Sequence, residues 1–298
     1  MAIDISRETD GLMTLPPEIS NEIWANTLDQ SVVQSRARRV SLPAGGLDIP
    51  MITGDPEADW VNETDEKPVS DSTFGSKIMR PYKLAVIEVF SDEFRRDFNG
   101  LYAELVRRLP EALGRKFDRA ALGIEAAPGT GFDTLADAPT VQIDDSIEGY
   151  LSAMGLVATQ KGNVDGWALS NLAALDALRI ADGNGRPLLV QDYSTAGRVG
   201  QILGRPVSES SVFNEAEFDG VAGDWSNALW GTVQEIRVDI SDQATVTKNG
   251  QPLNLWQRNM FALRAEVEVG FVVRDDQRFA KLVRDSGDGG GADSSETA

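Results

Sequence analysis

Apolar and polar residues alternate in two stretches near the end of the chain. Ile236, Val238 and Ile240 alternate with Arg237 and Asp239, and Leu263, Ala265, Val267, Val269, Phe271 and Val273 alternate with Arg264, Glu266 and Glu268. A period of two predicts long strands with one face buried and the other wet or in an interface. Upstream, Leu47 to Ile52, Phe74 to Tyr82 and Lys83 to Phe90 carry β-branched and aromatic residues in partial alternation, and Trp60-Val61 is a shorter strand candidate. After Ser91 the period changes. Ser91 is a good helix cap with Asp92 and Glu93 in the first turn, and Phe94, Phe98, Leu101, Leu105, Leu109, Ala112, Phe117 and Ala120 recur mostly at spacings of three and four. That spacing predicts a long helix from Asp92 to Ala121 with one buried stripe. Pro110 should kink or split it, and Gly123 and Pro128-Gly129-Thr130-Gly131 end it.

The pattern over residues 144–232 is mixed. A helix near Ile147 to Val157, a strand at Trp167-Ala168-Leu169 and a second helix from Asn171 to Ile180, capped by Ser170, suggest a compact α/β region. A turn at Asp182-Gly183-Asn184-Gly185, an extended Pro187 to Val190, and a turn and strand over Ile202 to Val207 complete it. Residues 1–37 are polar and read as an extended arm with one short amphipathic helix at Ile19, Ile23, Trp24 and Thr27, closed by Arg36, Arg38 and Arg39. From Asp285 to Ala298 the chain is Gly, Ser and acid without a base, and disorder is expected there.

Composition narrows the chemistry. The 298 residues include no Cys and no His. That removes disulfides, thiolate and imidazole metal sites, Ser-His-Asp and Cys-His catalysis, and the commonest general base at neutral pH. Asp144-Asp145 and Asp65-Glu66 are adjacent pairs, whose side chains point apart, and they read as solvated surface. Asp182-x-Asn184 resembles a calcium loop, but Arg186 stands where a third ligand belongs. Gly129-x-Gly131 and Gly183-x-Gly185 lack the third glycine of a dinucleotide loop. Trp60, Trp167, Trp225, Trp230 and Trp256 are expected in packing, in the core or at interfaces. No catalytic residue, metal site or cofactor is therefore expected. There is no long apolar run to span a membrane and no basic, apolar signal peptide, so folding in a cytoplasm is expected. Net charge is −19, from 28 Lys plus Arg against 47 Asp plus Glu. Such a surface opposes contact with phosphates, and fits either plain solubility or the wall of a container that does not adhere to packed nucleic acid.

Four stretches carry a resemblance. They are Pro50-Met51-Ile52 through Asp59-Trp60-Val61-Asn62-Glu63; Lys83 to Phe94; Leu203-Gly204-Arg205-Pro206-Val207; and Gly223-Asp224-Trp225-Ser226 through Glu235 to Asp242, ending at Phe261 to Glu266 and Ala280-Lys281-Leu282. In this order the chain resembles the major capsid proteins of tailed bacteriophages, with the Hong Kong 97-like fold. The resemblance implies an α+β protein divided into an N-terminal arm (1–45), an E-loop with flanking strands (46–82), a P domain with a spine helix (83–140) and an α/β A domain (141–232). Long antiparallel return strands of the P domain (233–274), a C-terminal return to the A domain (275–284) and an acidic tail (285–298) follow. It also implies pentamers and hexamers that close an icosahedral shell around double-stranded DNA without binding it specifically. The shell would be assembled in the bacterial host cytoplasm and located in the virion. A portal is implied, with room for a decoration protein. Met1 stands almost at the arm, so the scaffold is expected to be a separate protein. Some members link a loop Lys to an Asn of a neighbour; Lys67 and Lys77 are available here, without a match to the rest of that site.

One segment points to a neighbour by its own composition. Between Gly54 and Asp71 there are seven acids and one base, Lys67, yet the same excursion carries Trp60, Val61 and Phe74. In a lone subunit those apolar groups would be exposed. Trp60 and Phe74 are thus candidate anchors in an adjacent subunit, with Glu63 and the other acids at the rim. Arg36, Arg38 and Arg39 on the arm, or Arg108 and Arg115 with Arg107, Lys116 and Arg119 on the long helix, are candidate basic partners. An encapsulin-like compartment of the same fold is one alternative function, and a carboxylate-based α/β hydrolase is another.

Overall fold

The computed structural model describes residues 31–284 except 53, 55, 57, 64–66, 68, 70–72, 98, 145, 181–188 and 192–199. The expected arm helix around Ile19 to Thr27, the turn at Asp182 to Gly185 and the acidic tail lie outside the described residues. The chain forms two compact units. One comprises the described residues within 86–111 and 238–265, and the other those within 29–85, 112–237 and 266–298.

The larger unit has two cores. The first lies where helix α1 (Val32–Arg36), the end of the long helix α3 (Asn99–Ala121) and the strands β11 (Ala228–Ser241) and β14 (Met260–Val273) supply apolar faces, with β1 (Arg38–Ser41) paired along β11. The Phe117 ring sits 6.1 Å from Phe271, 6.2 Å from Phe132 and 6.4 Å from Trp230. The sheet order is β1-β11-β14-β4, with β4 spanning Tyr82–Ser91. β1 runs parallel to β11, pairing Arg38 with Leu229 and Ser41 with Thr232.

The second core lies in a seven-stranded sheet of order β5-β15-β10-β6-β9-β8-β7. The strands are Thr140–Ile143, Phe279–Arg284, Gly220–Gly223, Gly166–Leu169, Arg205–Glu209, Gly200–Ile202 and Leu189–Gln191 in that order. Helices α4 (Glu148–Thr159) and α5 (Asn171–Arg179) cover it. β6 is buried along its whole length, which is why Trp167-Ala168-Leu169 reads as an unbroken apolar run rather than an alternation. Trp167 packs edge-on to Tyr150 at 5.5 Å and donates its indole N–H to the Ile202 carbonyl at 3.1 Å. Ser170 caps α5 as expected, accepting from Ala173 N–H at 3.0 Å.

In the smaller unit, α2 (Asp92–Asp97) starts at the Ser91 cap, whose hydroxyl accepts from Phe94 N–H at 3.2 Å. Phe90 stacks on Phe94 at 5.6 Å and meets Phe261 at 5.8 Å. A hairpin, β12 (Thr245–Lys248) and β13 (Gln251–Asn254), turns on Asn249 and Gly250, whose φ values are 53° and 78°. Two consecutive positive φ angles are what a tight two-residue hairpin turn needs, and Asn-Gly supplies them with least strain.

Three expectations change. Pro110 sits inside α3 without splitting it. A mid-helix proline costs about 3 kcal/mol. Burying Leu109, Leu113 and Phe117 on one stripe offsets that, at about 1.5–3 kcal/mol each. The stripe runs through Leu113 and Ala121, while Ala112 and Ala120 are only partly buried. Trp60-Val61 is irregular rather than a strand. Ile236, Val238 and Ile240 are exposed, so the alternation in β11 does not mark a face buried within the subunit. The end of α3 follows the sequence. Gly123, at φ 81°, donates to Ala120 O, and Ile124 donates to Arg119 O, which closes the last turn.

Candidate assembly surfaces

A two-stranded ribbon leaves the larger unit's core. β2 (Leu47–Ile52) pairs antiparallel with β3 (Phe74–Met79), from Leu47 opposite Met79 to Ile52 opposite Phe74. At its base Ile49 and Met79 are buried with Leu42, Leu229 and Val272. Lys77 donates to Asp133 Oδ2 at 3.0 Å and to the Val273 carbonyl at 2.6 Å. Lys77 is therefore held inside its own subunit, whereas Lys67 is exposed. The other face of the ribbon is bare. Phe74 is 76 % exposed and Ile78 51 %, with Asp48, Pro50 and Ser76 beside them. In the connecting loop Trp60 is fully exposed and Val69 nearly so, and Glu63 is exposed as well. A ribbon of two strands is at best marginal in water on its own, and this one presents apolar side chains to solvent with nothing from the described subunit over them.

The expected basic partners do not form one cluster. Arg36 ends α1 and is half-buried, donating Nε–H to Ser208 Oγ at 2.8 Å. Burial lowers its pKa, and nearby Asp165 partly opposes that. The same burial raises the pKa of Asp165, which accepts from Trp225 N–H at 3.0 Å. Arg36 is thus engaged in its own fold rather than presented at a rim. Arg38 is exposed, and Arg39 lies over the Trp230 ring at 5.4 Å. On α3, Arg108 and Arg115 are half-exposed, Lys116 pairs with Glu125, and Arg119 with Glu125 and Glu215.

Two features escaped the sequence reading. Asp118 is buried on α3 and accepts from Ser31 Oγ at 2.6 Å, Val32 N–H at 2.8 Å and Val33 N–H at 3.4 Å. A carboxylate here meets the otherwise unpaired donors at the start of α1 and pins the chain there. Its signal was an acid one position from the buried stripe. The second feature is the β12–β13 hairpin, mostly exposed and followed by Trp256, 66 % exposed. Asn249-Gly250 between two strand-like tetrads was its legible mark.

No group of acids fit to hold a metal ion occurs among the described residues. What the geometry offers is apolar surface projected on ribbons. The phage capsid family model matches residues 11–283. The chain belongs to the phage capsid family. This capsid protein is 29 % identical over 301 residues to a protein of Mycobacterium phage D29 named probable major capsid protein gp17, covering 93 % of this chain and 92 % of that one. It is 28 % identical over 283 residues to the major capsid protein of Staphylococcus phage 80alpha, covering 91 % and 85 %. A solved chain from Mycobacterium phage Adephagia superposes with a TM-score of 0.73 at 22 % identity, over 89 % and 94 % of the two chains. The named relatives are structural proteins of phage particles, and they indicate no enzymatic activity for this capsid protein.

Proposed function

We propose that this protein is the major capsid protein of a tailed phage, assembling through pentamers and hexamers into an icosahedral shell around double-stranded DNA. The observation that carries the reading is the β2–β3 ribbon, with Phe74 and Ile78 on its bare face and Trp60 in its loop. A second copy would cover these side chains, and a repeated contact of this kind between different patches closes into rings. In this reading residues 1–45 are the arm, 46–82 the E-loop, 83–140 and 233–274 the P domain, and 141–232 with 275–284 the A domain. α3 serves as the spine. A separate scaffolding protein and a portal act during assembly in the host cytoplasm, and the shell's outer face is open to a decoration protein. The wall holds DNA without specific binding, because a net charge of −19 opposes phosphate contact. Purified protein should give closed shells or capsomers by negative-stain microscopy and sedimentation, and no sub-micromolar affinity for duplex DNA near physiological salt. A protein that stays monomeric at all concentrations, with and without a co-expressed scaffold, would overturn the proposal.

A further inference from the structure

We infer that residues 128–133 form a collar that fixes the direction in which the β2–β3 ribbon leaves the larger unit, with Lys77 as its latch. A two-stranded ribbon has no core of its own, and its ladder holds the strands to each other without setting where the pair points. Direction is set at the root, residues 77–80, where the collar and β14 close on β3. Arg80 N–H donates to the Gly131 carbonyl at 2.8 Å. Tyr82, two residues on, donates its hydroxyl to the Thr130 carbonyl at 2.7 Å. Lys77 reaches Asp133 Oδ2 at 3.0 Å and the Val273 carbonyl at 2.6 Å.

Close approach makes the collar tight. Gly131 has φ 83°, and a Cβ there would lie 2.9 Å from Arg80 Cγ and 3.0 Å from the Ile78 carbonyl oxygen. In β14, a Cβ on Gly270 would lie 2.9 Å from the Arg80 carbonyl oxygen and 2.9 Å from Met79 Cγ. Neither position has space for a side chain. Gly129-x-Gly131, which lacks the third glycine of a dinucleotide loop, thus serves as a saddle for the ribbon's backbone. The collar is itself tied to β14. Asp133 N–H donates to the Phe271 carbonyl at 3.0 Å, and Asp133 Oδ2 accepts from Val273 N–H at 3.2 Å as well as from Lys77. Collar, sheet and ribbon therefore meet at one carboxylate. The Lys77–Asp133 pair is part-exposed on both sides and weak as an isolated ion pair. Its effect is geometric, because it adds a second fixed point beside the apolar root at Ile49 and Met79. A ribbon held this way presents Phe74 and Ile78 in one direction before any contact, so less ordering remains when they are covered. The inference concerns the protomer and does not rest on the shell-building reading.

The chain has no native Cys, so introduced thiols can be labelled cleanly. Nitroxides at Ser76→Cys on the ribbon and Gln201→Cys on β8, both exposed, report the ribbon's direction as a distance distribution by double electron–electron resonance. The sample is the full-length, unassembled protein. One narrow distribution is expected, and Gly131→Ala and, separately, Lys77→Met should widen it roughly twofold. Val157→Ala, which opens a cavity in the second core, should lower the melting temperature and leave the width unchanged. That control separates aim from stability. A broad distribution before any collar substitution would overturn the inference, and so would an unchanged width in either collar variant that folds. Widening by Val157→Ala to the same extent would overturn it too, because width would then follow stability. Should Gly131→Ala fail to fold, Lys77→Met decides. Particle formation is scored separately by microscopy, so failure here leaves the capsid reading standing and failure there leaves this one.

Discussion

Two buried polar side chains make the fold sensitive to single atoms. Asp118 satisfies three donors at the start of α1: the Ser31 hydroxyl and the Val32 and Val33 N–H groups. Removing the carboxylate leaves those donors buried, and hydrogen bonds to a charged group are worth about 1.5–3 kcal/mol each. Asp118→Ala should therefore lower the stability of the unassembled protomer by about 2–4 kcal/mol, read as a lower urea midpoint at unchanged slope. Asp118→Asn, which keeps one acceptor oxygen, should lose less; equal losses would mean that shape and not charge matters there. Tyr150 is 1 % exposed, and burial, with Asp176 and Asp219 adding to it, pushes its pKa from 10.0 up to about 12. The fold thus favours the neutral phenol. Its contribution is complete below pH 10, where folded and unfolded chains both keep the proton. It is lost between pH 10 and 12, where the unfolded chain ionises first. At 1.36 kcal/mol per unit the loss amounts to about 3 kcal/mol. Tyr150→Phe should flatten that limb of the stability–pH curve, and an unchanged limb would assign the alkaline loss to other groups.

At the scale of elements, ribbons decide what the protomer needs from outside. The β2–β3 ribbon is anchored at one end by Ile49 and Met79 and is bare along the face of Phe74 and Ile78. Replacing residues 56–72 by a short Gly-Ser linker should leave the protomer folded, since none of the described residues among them belongs to its buried core. Circular dichroism and the melt should stay close to wild type while closed particles disappear from micrographs. Normal particles from this variant would show that the loop is dispensable, and an unfolded protomer would place it in the subunit's own core. How far these elements are legible depends on where their partners lie. β14 and α5 announce themselves because both the alternating face and the cap are completed inside the chain, by Phe117 and by Ser170. The alternation at Ile236, Val238 and Ile240 marks a strand equally well, but pattern alone does not say whether the apolar face meets its own subunit. Trp60-Val61 failed as a strand because propensity without a ladder partner fixes nothing. Of the two outcomes expected at Pro110, a kink or a split, the split does not occur, because packing outweighs a local preference, as it does throughout helix formation. The basic triplet Arg36, Arg38 and Arg39 looked like one patch only in one dimension. The change from α1 to β1 sends Arg36 to Ser208 and Arg39 to Trp230.

For the whole molecule the governing number is the net charge of −19. Two such subunits with charge centres on the order of 40 Å apart repel by roughly 40 kcal/mol in salt-free water, by Coulomb's law at the dielectric of water. Against this stand rim ion pairs between the loop acids and exposed arginines such as Arg38, each worth about 0–1 kcal/mol. Both effects are screened by salt, but they predict opposite trends. The repulsion acts over many ångströms, so a Debye length of about 10 Å at 0.1 M removes most of it. Contact pairs at a few ångströms, partly shielded from solvent, lose less, and apolar contacts through Trp60 and Phe74 lose nothing. Raising NaCl from about 10 to 300 mM should therefore promote assembly of the purified protein, followed as light scattering with particles confirmed by microscopy. Reversing one exposed acid to Lys, for example Glu63→Lys, should shift the curve to lower salt, because it reduces the net charge by two and costs at most one weak pair. If scattering instead falls steadily as salt rises, and Glu63→Lys assembles worse at every concentration, then complementary charge at the subunit boundary outweighs the repulsion, and the acidic loop is the source of affinity rather than a rim around an apolar anchor.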